Sequence, residues 1–209
     1  MSVKSPRIPG SVIRRLPVYL RHLEQLRDGG ISTVSSLDLG NQLDSNPAQI
    51  RKDLAFFGEF GRKGVGYDVA YLIDKIRQIL RLDRELRVAL VGAGHLGIAL
   101  CHHSQSRPSN LIIAYAFDKD PGKVGLQIGP IIVHRDAELE RKIKQDEVRM
   151  AIIAVPPDQA QSVADRLVEA GVSAILNFAP VLLRVPSHIH VRNADFASEL
   201  QALAYYAVD

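Results

Sequence analysis

Val88-Ala-Leu-Val-Gly-Ala-Gly-His-Leu-Gly-Ile-Ala-Leu100 carries the pattern on which the interpretation of most of the chain depends. Residues 88–91 are continuously apolar, as in a strand buried on both faces, and glycines spaced G-x-G-x-x-G follow where that strand would turn into a helix. In a dinucleotide-binding fold such glycines allow a tight turn, close approach to a pyrophosphate, and close packing of helix on strand. We therefore predict a pyrophosphate site at the helix N-terminus. The residues assigned to this site are Gly92, Ala93, Gly94, His95, Leu96 and Gly97.

The next apolar run, residues 111–118, predicts a second buried strand that ends in a carboxylate. Asp118 lies about 20 residues beyond Gly97, the separation at which an acidic residue meets the adenosine ribose hydroxyls. A carboxylate there would repel a 2′-phosphate, which favours NAD(H) over NADP(H), although the neighbouring Lys119, included in the site, weakens that preference. The alternative is that Asp118 only begins a turn at the end of the strand.

The rest of the C-terminal sequence continues to alternate between strand and helix patterns. Strands are predicted at 131–134, 150–155, 174–177 and 189–193, and helices at 95–104, 136–145, 158–170 and 195–208. The fold class predicted for residues 86–193 is α/β, a Rossmann-type doubly wound parallel sheet, in which ligands lie beyond the carboxyl ends of the strands. The turns Val155-Pro156 and Asn177-Phe178 follow two such ends. They are predicted to wall the nicotinamide half of the cofactor, unless each only terminates its strand.

Charge is distributed unevenly along the chain. Lysine and arginine exceed aspartate and glutamate in residues 1–85 but not in residues 86–209, and the whole chain carries a formal net charge of +3. This distribution permits the N-terminal part to bind a polyanion. The single cysteine, Cys101, excludes an internal disulfide, and no secretory signal or membrane-spanning apolar run is found. We expect a globular cytoplasmic protein with no membrane association.

Residues 1–85 have the outline of a helix-turn-helix domain. A first helical pattern runs from Ser11 to the glycines at 29 and 30, and Pro17 is expected to kink this helix or to mark a later start. Two shorter helices are predicted at 36–43 and 47–58, joined by a tight turn. In a helix-turn-helix protein the second of these would enter the major groove of DNA.

The predicted recognition helix and the glycine-rich segment after it carry the candidate DNA contacts. The residues expected to be exposed near the helix start are Gln49, Arg51, Lys52 and Asp53. Gln49 is suited to a base edge, and the two cations to bases or phosphates. Residues 58–67 predict a β-hairpin with Arg62 and Lys63 at its tip, which would be the wing of a winged helix. The alternative is a helical bundle with solvated cations.

A catalytic apparatus cannot be assembled from the sequence. A dehydrogenase needs an acid or base beside the reacting carbon, but the histidines are scattered, none has metal-ligand spacing, and Cys101 lacks a second ligand. We therefore predict no catalytic residues and no metal site. A dinucleotide site without catalytic groups suggests that the cofactor is sensed.

Taken together, several stretches resemble the Rex family of redox-sensing transcriptional repressors, and the resemblance covers nearly the whole chain. The stretches are Arg51-Lys-Asp-Leu-Ala-Phe-Phe-Gly-Glu-Phe-Gly-Arg-Lys-Gly-Val-Gly-Tyr67, Val91-Gly-Ala-Gly-His-Leu-Gly97, Phe117-Asp118, Asn177-Phe-Ala-Pro180 and Asn193-Ala-Asp-Phe196.

The resemblance implies a homodimer that binds palindromic operator DNA and is released when NADH occupies the Rossmann domain. It implies a winged helix in residues 1–85 and exchange of a C-terminal helix, residues 194–209, between subunits. Phe196 would then insert near the partner's nicotinamide site. The family's switch, three interacting residues, falls on Arg21, His103 and Asp195.

His103 departs from the family pattern, in which the middle switch position is a tyrosine. Because histidine titrates near neutral pH and tyrosine does not, the switch of this chain is hypothesised to be pH-sensitive. The test compares operator affinity in NADH between about pH 6 and pH 8 with that of a His103→Tyr variant, and equal pH dependence would remove the hypothesis. The alternative is a helix-end histidine stabilised by the helix dipole.

Other interpretations of the same features remain at this point. One is an NAD-dependent dehydrogenase whose N-terminal helices cover the substrate, and another is a CoA-binding domain protein, since some acyl-CoA ligases open with a similar glycine turn. Asp118 favours a ribose diol over CoA, whose ribose carries a 3′-phosphate. A constitutive DNA-binding protein with a vestigial nucleotide fold is the third.

Overall fold

The computed structural model describes residues 8–58, 61–62, 66–106 and 110–207, with only the backbone at residues 61 and 62. The chain divides into two compact units, Met1–Arg84 and Glu85–Asp209. Across the described residues, every helix is too short or too polar to cross a lipid bilayer.

The N-terminal unit combines four helices with a small antiparallel sheet. In chain order its elements are α1 (Gly10–Asp28), β1 (Thr33–Val34), α2 (Ser36–Gln42), α3 (Pro47–Ala55), β2 (Gly61–Arg62), β3 (Gly66–Asp68) and α4 (Val69–Ile79). The strand order is β1-β3-β2, so the β2-β3 hairpin predicted as a wing is extended by β1. β1 was not predicted, because two residues carry no periodic signal.

Local hydrogen bonds explain where the short helices begin. Ser35 and Asp38 form a reciprocal capping box at the start of α2, and the Asn46 side chain accepts from the Ala48 N–H at the start of α3. Asp68 caps α4 in the same way. The apolar faces of all four helices then meet in one core, in which Leu16 is among the fully buried side chains.

Two details of the predicted helices differ from the structure. Pro17 lies inside α1, which starts at Gly10, so the alternative of a later helix start is wrong. α3 ends at Ala55 and does not reach Gly58, because the chain leaves the helix through turns whose N–H groups bond only three residues back. In the hairpin, Arg62 is the last described residue of β2 and pairs with Gly66, whereas Lys63 lies outside the described residues.

The C-terminal unit is a seven-stranded sheet with helices on both faces. Its elements are β4 (Leu86–Val91), α5 (His95–Gln105), β5 (Leu111–Asp118), β6 (Gln127–Ile128), β7 (Ile131–Arg135), α6 (Leu139–Gln145), β8 (Met150–Ile153), α7 (Pro157–Ala170), β9 (Ala174–Asn177), β10 (His190–Asn193) and α8 (Phe196–Ala204). The strand order is β10-β9-β8-β4-β5-β7-β6. All pairs are parallel except β6 with β7.

The sheet changes winding direction at β4, since β5 and β7 lie on one side of it and β8 to β10 on the other. α5 packs on one face around Cys101, and α6 and α7 pack on the opposite face around Ile143 and Leu167. This is the doubly wound arrangement, in which ligands bind outside the carboxyl ends of the strands at the point of reversal. That point lies between β4 and β8.

Several element boundaries differ from the predictions. The expected helix 136–145 is a 3₁₀ turn, Asp136–Glu138, followed by α6, and the expected strand 150–155 ends at Ile153. β6 was not predicted, since it too has only two residues. α8 has no buried residue, and Phe196 is 74% exposed, which leaves the apolar side of this helix uncovered within the chain.

Candidate functional site

The glycine motif forms a turn that only glycine fits at two positions. Gly92 has a φ of +102°, and a Cβ built there would lie 2.4 Å from the carbonyl oxygen of Ala154 on the neighbouring strand end. A Cβ at Gly97 would lie 1.9 Å from the carbonyl oxygen of Gly92. The turn therefore depends on close contact between the start of α5, the end of β4 and the segment after β8.

Gly94 plays a different part in the turn. It is the N-cap of α5 and has no side chain to accept from the first N–H groups of that helix, and a Cβ there would meet nothing within 4 Å. The backbone is thus open to a ligand at the positive end of the helix dipole, an arrangement that binds phosphate oxygens.

Asp118 ends β5 directly beside this turn. Its Oδ2 accepts hydrogen bonds from the Ala93 N–H at 2.8 Å and from Lys123 Nζ at 3.1 Å, and its Oδ1 accepts from the Asp120 N–H at 2.9 Å. Burial by itself would raise the pKa of Asp118, but the donors from Asp120, Lys123 and Ala93 outweigh it and hold the pKa below its usual value. The carboxylate is therefore ionised at neutral pH.

A cavity of about 830 Å³ opens at the point where the sheet reverses. This volume lies in the range of small-molecule and cofactor sites. The residues that line it are Val91, Gly92, Gly94, His95, Leu96, Phe117, Asp118, Lys119, Asp120, Lys123, Asp136, Ala154, Val155, Pro156, Asp158, Gln159, Ser162, Val163 and Arg166. The cavity joins the start of α5, the end of β5 and the first turns of α7.

Most residues predicted to hold the cofactor are brought together in this cavity. The predicted residues that line it are Gly92, Gly94, His95, Leu96, Asp118, Lys119, Val155 and Pro156. Ala93 and Gly97 lie behind the lining, where Ala93 donates to Asp118 and Gly97 allows α5 to pack.

Asn177 and its neighbour Phe178 do not line the cavity. The Asn177 side chain is fully buried, and its amide nitrogen donates to the carbonyl oxygens of Ala179 and Val181 and to Asn193 Oδ1. Its Oδ1 accepts from the Ala179 N–H, so both polar atoms of this side chain are hydrogen-bonded within the protein. Phe196 also lies outside the lining of the cavity.

Several lining residues were not predicted from the sequence. Lys123 lies shortly after Asp118 in the sequence, and its positive charge could have suggested a role in the site. Asp136 and Arg166 come from segments with no recognisable motif. Arg166 on α7 forms an ion pair with Asp136 at 2.6 Å, so the two meet only in the folded unit.

In the N-terminal unit, the expectation that Asp53 is exposed is wrong. Its side chain is fully buried and accepts from Arg15 Nε at 2.6 Å, Arg15 Nη2 at 2.8 Å, the Tyr19 hydroxyl at 2.8 Å and Gln49 Nε2 at 2.7 Å. Burial would raise the pKa of Asp53, but these bonds lower it below the usual value. We call Asp53, Arg15, Tyr19 and Gln49 the Asp53 cluster.

The cluster fixes α3 against α1 and affects one candidate DNA contact. Gln49 is exposed, and one of the two N–H donors of its amide bonds to Asp53, so the side chain presents its Oε1 acceptor and its second N–H to the surroundings. Arg51 and Lys52 are exposed on the same helix, and Arg51 Nη1 donates to Ser36 Oγ at 2.9 Å.

The three residues assigned to the switch are divided between the two units, with Arg21 in the N-terminal unit and the other two in the C-terminal unit. Arg21 is exposed on α1 in the N-terminal unit. His103 is exposed near the end of α5, and Asp195 caps α8 by accepting from the Ala197 and Ser198 N–H groups. The hydrogen bonds from Ser198 lower the pKa of Asp195.

Metal-ligand groupings are absent from the described parts of the chain, where no three His, Cys, Asp or Glu side chains are arranged to hold an ion. Cys101 is buried in the core beneath α5, and burial raises the pKa of its thiol to about 11. This thiol is therefore poorly reactive at neutral pH.

Comparison with family models divides the chain in a similar way. A model described as "Putative DNA-binding protein N-terminus" matches residues 7–55, and one described as "CoA binding domain" matches residues 83–181. The second model covers the Rossmann-type sheet from β4 to β9.

Comparison with curated proteins finds relatives over nearly the full length of the chain. The redox-sensing transcriptional repressor Rex of Brevibacillus brevis is 50% identical over 203 residues, which cover 97% of this chain and 98% of that protein. Rex of Syntrophobacter fumaroxidans is 47% identical over 206 residues, 98% of each chain. The chain belongs to the Rex family. The predicted family is thereby confirmed. Because these relatives are named as transcriptional repressors over nearly the whole chain, they support the repressor interpretation over the dehydrogenase and CoA-binding alternatives.

Solved structures of a Rex-family repressor have the same fold. The complex of the repressor RSP with β-NAD⁺ and operator DNA has a TM-score of 0.89 at 34% identity, covering 99% of this chain and 94% of that one. The RSP complex with β-NADH has a TM-score of 0.87 at 34% identity, covering 96% and 94%. These matches confirm the predicted combination of a DNA-binding N-terminal domain with a Rossmann-type sheet.

Proposed function

We propose that this Rex-family protein binds palindromic operator DNA as a homodimer and releases it when NADH occupies the cavity of the C-terminal unit. The observation that carries the proposal is the position of Asp118 in a nucleotide-sized cavity beside the uncapped start of α5. No metal ion is required, and the protein is proposed to act in the cytoplasm, where it meets both DNA and the NADH pool.

In this proposal, the pyrophosphate lies against the backbone of Gly92, Ala93 and Gly94 and the first N–H groups of α5. His95, Leu96 and Gly97 complete that turn. Asp118 accepts from the adenosine ribose hydroxyls, and its negative charge disfavours the 2′-phosphate of NADP(H). The nearby Lys119 is exposed and reduces this discrimination without removing it.

The nicotinamide half is proposed to lie toward Val155 and Pro156, which line the cavity, and toward Asn177 and Phe178. Because Asn177 is occupied by its own turn, we assign it the role of holding residues 177–181 in place. Phe196 of the partner subunit is proposed to complete this end.

The DNA contacts are proposed to come from α3 and the wing. Arg51, Lys52, Arg62 and Lys63 are assigned to the phosphates or base edges, and Gln49 to a base edge. Since Gln49 spends one of its two N–H donors on Asp53, its Oε1 acceptor and its second N–H are left for a base edge.

The homodimer is supported by the exposed apolar side of α8. Leu200 is 52% and Leu203 61% exposed, a large apolar surface for a helix at the end of a folded unit. Exchange of residues 194–209 between subunits would bury this surface and would bring Asp195 toward the partner's switch residues, Arg21 and His103.

NADH can shift the protein away from DNA only by binding more tightly to the arrangement that cannot engage the operator. The nicotinamide ring is cationic in NAD⁺ and neutral in NADH, and an apolar pocket formed by Phe196 and the proline turn disfavours an unpaired charge. A change in the spacing of the two winged helices would then remove the match to two operator half-sites.

The test is a fluorescence-anisotropy titration of a palindromic promoter fragment, without cofactor, with NADH and with NAD⁺. We expect operator binding that is lost in NADH and much less affected by NAD⁺. Equal effects of NADH and NAD⁺ on operator binding would rule out redox sensing. Operator binding that neither cofactor changes would indicate a constitutive DNA-binding protein.

A further inference from the structure

The far end of the cavity holds an arginine between two carboxylates. Arg166 donates from Nη1 to Asp136 Oδ2 at 2.6 Å, from Nε to Glu140 Oε1 at 2.5 Å, and from Nη2 to the Asp136 carbonyl oxygen at 2.8 Å and Glu140 Oε2 at 3.2 Å. These bonds raise the pKa of Arg166, so the guanidinium stays charged. Arg166 and Asp136 line the cavity, whereas Glu140 does not.

This group lies beside the carboxylate assigned to the ribose. In the parallel pairing of β5 with β7, Asp118 is opposite Arg135, and Asp136 is the next residue along the chain. A ribose held by Asp118 has its pyrophosphate directed toward the start of α5. Its base must therefore point away from α5, toward the part of the cavity lined by Asp136 and Arg166.

The part of the cavity lined by Asp136 and Arg166 offers a hydrogen-bond acceptor to a ligand. Among the described residues, the Oδ1 atom of Asp136 accepts no hydrogen bond, since Arg166 binds only Oδ2 and the backbone carbonyl. The Asp136 side chain is 29% exposed, and the residue lines the cavity. A carboxylate oxygen can pair with an amino group but not with a carbonyl oxygen.

Adenine carries an amino group at position 6, where hypoxanthine and guanine carry a carbonyl oxygen. We propose that Asp136 selects the adenine base of the dinucleotide by accepting from its 6-amino group, and that Arg166 is the positioning residue that orients the carboxylate. This inference rests on the proposed function and adds to it the part of the site that recognises the base.

The experiment compares NADH with reduced nicotinamide hypoxanthine dinucleotide, which differs from NADH only in the base. Dissociation constants are measured for the full chain by fluorescence titration in the absence of DNA. We expect the hypoxanthine analogue to bind at least about tenfold more weakly, because one charge-assisted hydrogen bond is lost and two acceptors face each other. Equal affinities of the wild-type protein for the two dinucleotides would overturn the proposal without any variant.

Variants then assign the discrimination to Asp136. In Asp136→Asn the amide can donate to the carbonyl oxygen of hypoxanthine, so the ratio of the two dissociation constants is expected to fall toward one. Arg166→Lys keeps the charge but loses the forked contacts, and it is expected to reduce the ratio in the same direction. A tenfold ratio that persists in either folded variant would contradict the proposal.

The matched control is Glu138→Gln, which removes the same charge from the same 3₁₀ turn. Glu138 contacts His134 and Arg141, each at 3.5 Å, and does not line the cavity, so its variant should keep the wild-type ratio. If the wild-type protein binds neither dinucleotide, the proposed function fails. If it binds both equally, only the base assignment fails.

Discussion

Asp53 and Asp118 are buried carboxylates, one in each unit, and both have a lowered pKa, but they differ in what their surroundings leave free. Asp53 receives its hydrogen bonds from the side chains of Arg15, Tyr19 and Gln49. Asp118 receives two of its bonds from the backbone N–H groups of Ala93 and Asp120. The first arrangement ties two helices together, whereas the second holds a carboxylate at the wall of a cavity.

The acceptor capacity of the two groups makes the difference concrete. A carboxylate offers about four acceptor positions. The bonds to Asp53 occupy all of them, so this residue has nothing left for a ligand. Asp118 retains capacity on Oδ1 and lines the cavity, and Lys123, the donor to its Oδ2, is 37% exposed and able to move aside. A buried carboxylate therefore suggests a ligand site only when its own neighbours do not already satisfy it.

The largest expected effect is on the free energy of unfolding when the Asp53 carboxylate is removed and the result is compared with removal of the Asp118 carboxylate. Asp53→Ala leaves Arg15 and Tyr19 without their acceptor, and it is expected to lower the free energy of unfolding by about 3 kcal/mol, near the low end for a broken buried ion pair. The low end applies because the Arg15 side chain is 34% exposed and regains water. The measurement is urea unfolding followed by far-UV circular dichroism.

Asp118→Ala is the matched control for that measurement. Asp118 lines an open cavity, so water can fill the space that its carboxylate leaves, and we expect a loss of about 1 kcal/mol. If the two variants were destabilised equally, the distinction between a structural and a ligand-binding carboxylate would not hold.

The second prediction concerns cofactor affinity, for which the loss of Asp118 should matter more than the loss of Asp53. Asp118→Ala is expected to weaken NADH binding about thirtyfold, which corresponds to about 2 kcal/mol for the lost charge-assisted bonds to the ribose. Fluorescence titration with NADH measures this loss, and operator binding in the absence of NADH serves as the internal control, since Asp118 belongs to the other unit. Unchanged NADH affinity would exclude Asp118 from the cofactor site.

The contrast between the two carboxylates was only partly accessible from the sequence. The glycine motif, the strand that ends in Asp118 and fewer than half of the residues that line the cavity follow from patterns contained in short contiguous segments. In α3, Asp53 shares a helix face with Ile50 and Leu54. Its burial depends on the cation Arg15 from α1, and no local sequence pattern predicts that contact. Asp136 and Arg166 were missed for the same reason, because their ion pair joins distant segments.

The fold was predicted most securely where periodicity extends over a full element, as in β5, whose predicted and observed bounds agree. It was missed where pairing alone defines the element, as in β1 and β6, each with two residues. Asn177 shows a further limit. Its position at the carboxyl end of a strand suggested a ligand contact, whereas its hydrogen bonds close the turn that follows.

The third prediction sharpens the comparison through pH and has the smallest expected effect. A carboxylate whose folded-state pKa lies below its unfolded value of about 3.9 stabilises the protein above that pH, and this contribution is lost as the pH falls through the folded-state pKa. For Asp53 the loss amounts to about 1.4 kcal/mol for each unit by which its pKa is lowered. The stability difference between the wild-type protein and Asp53→Asn should therefore be constant near neutral pH and narrow below about pH 4. Urea unfolding midpoints measured across this pH range test the prediction. A stability difference that stays constant below about pH 4 would mean that the bonds from Arg15, Tyr19 and Gln49 do not favour the ionised form of Asp53. The same series with Asp118→Asn in saturating NADH should narrow as well, because a protonated Asp118 loses acceptor capacity toward both the ribose and Lys123.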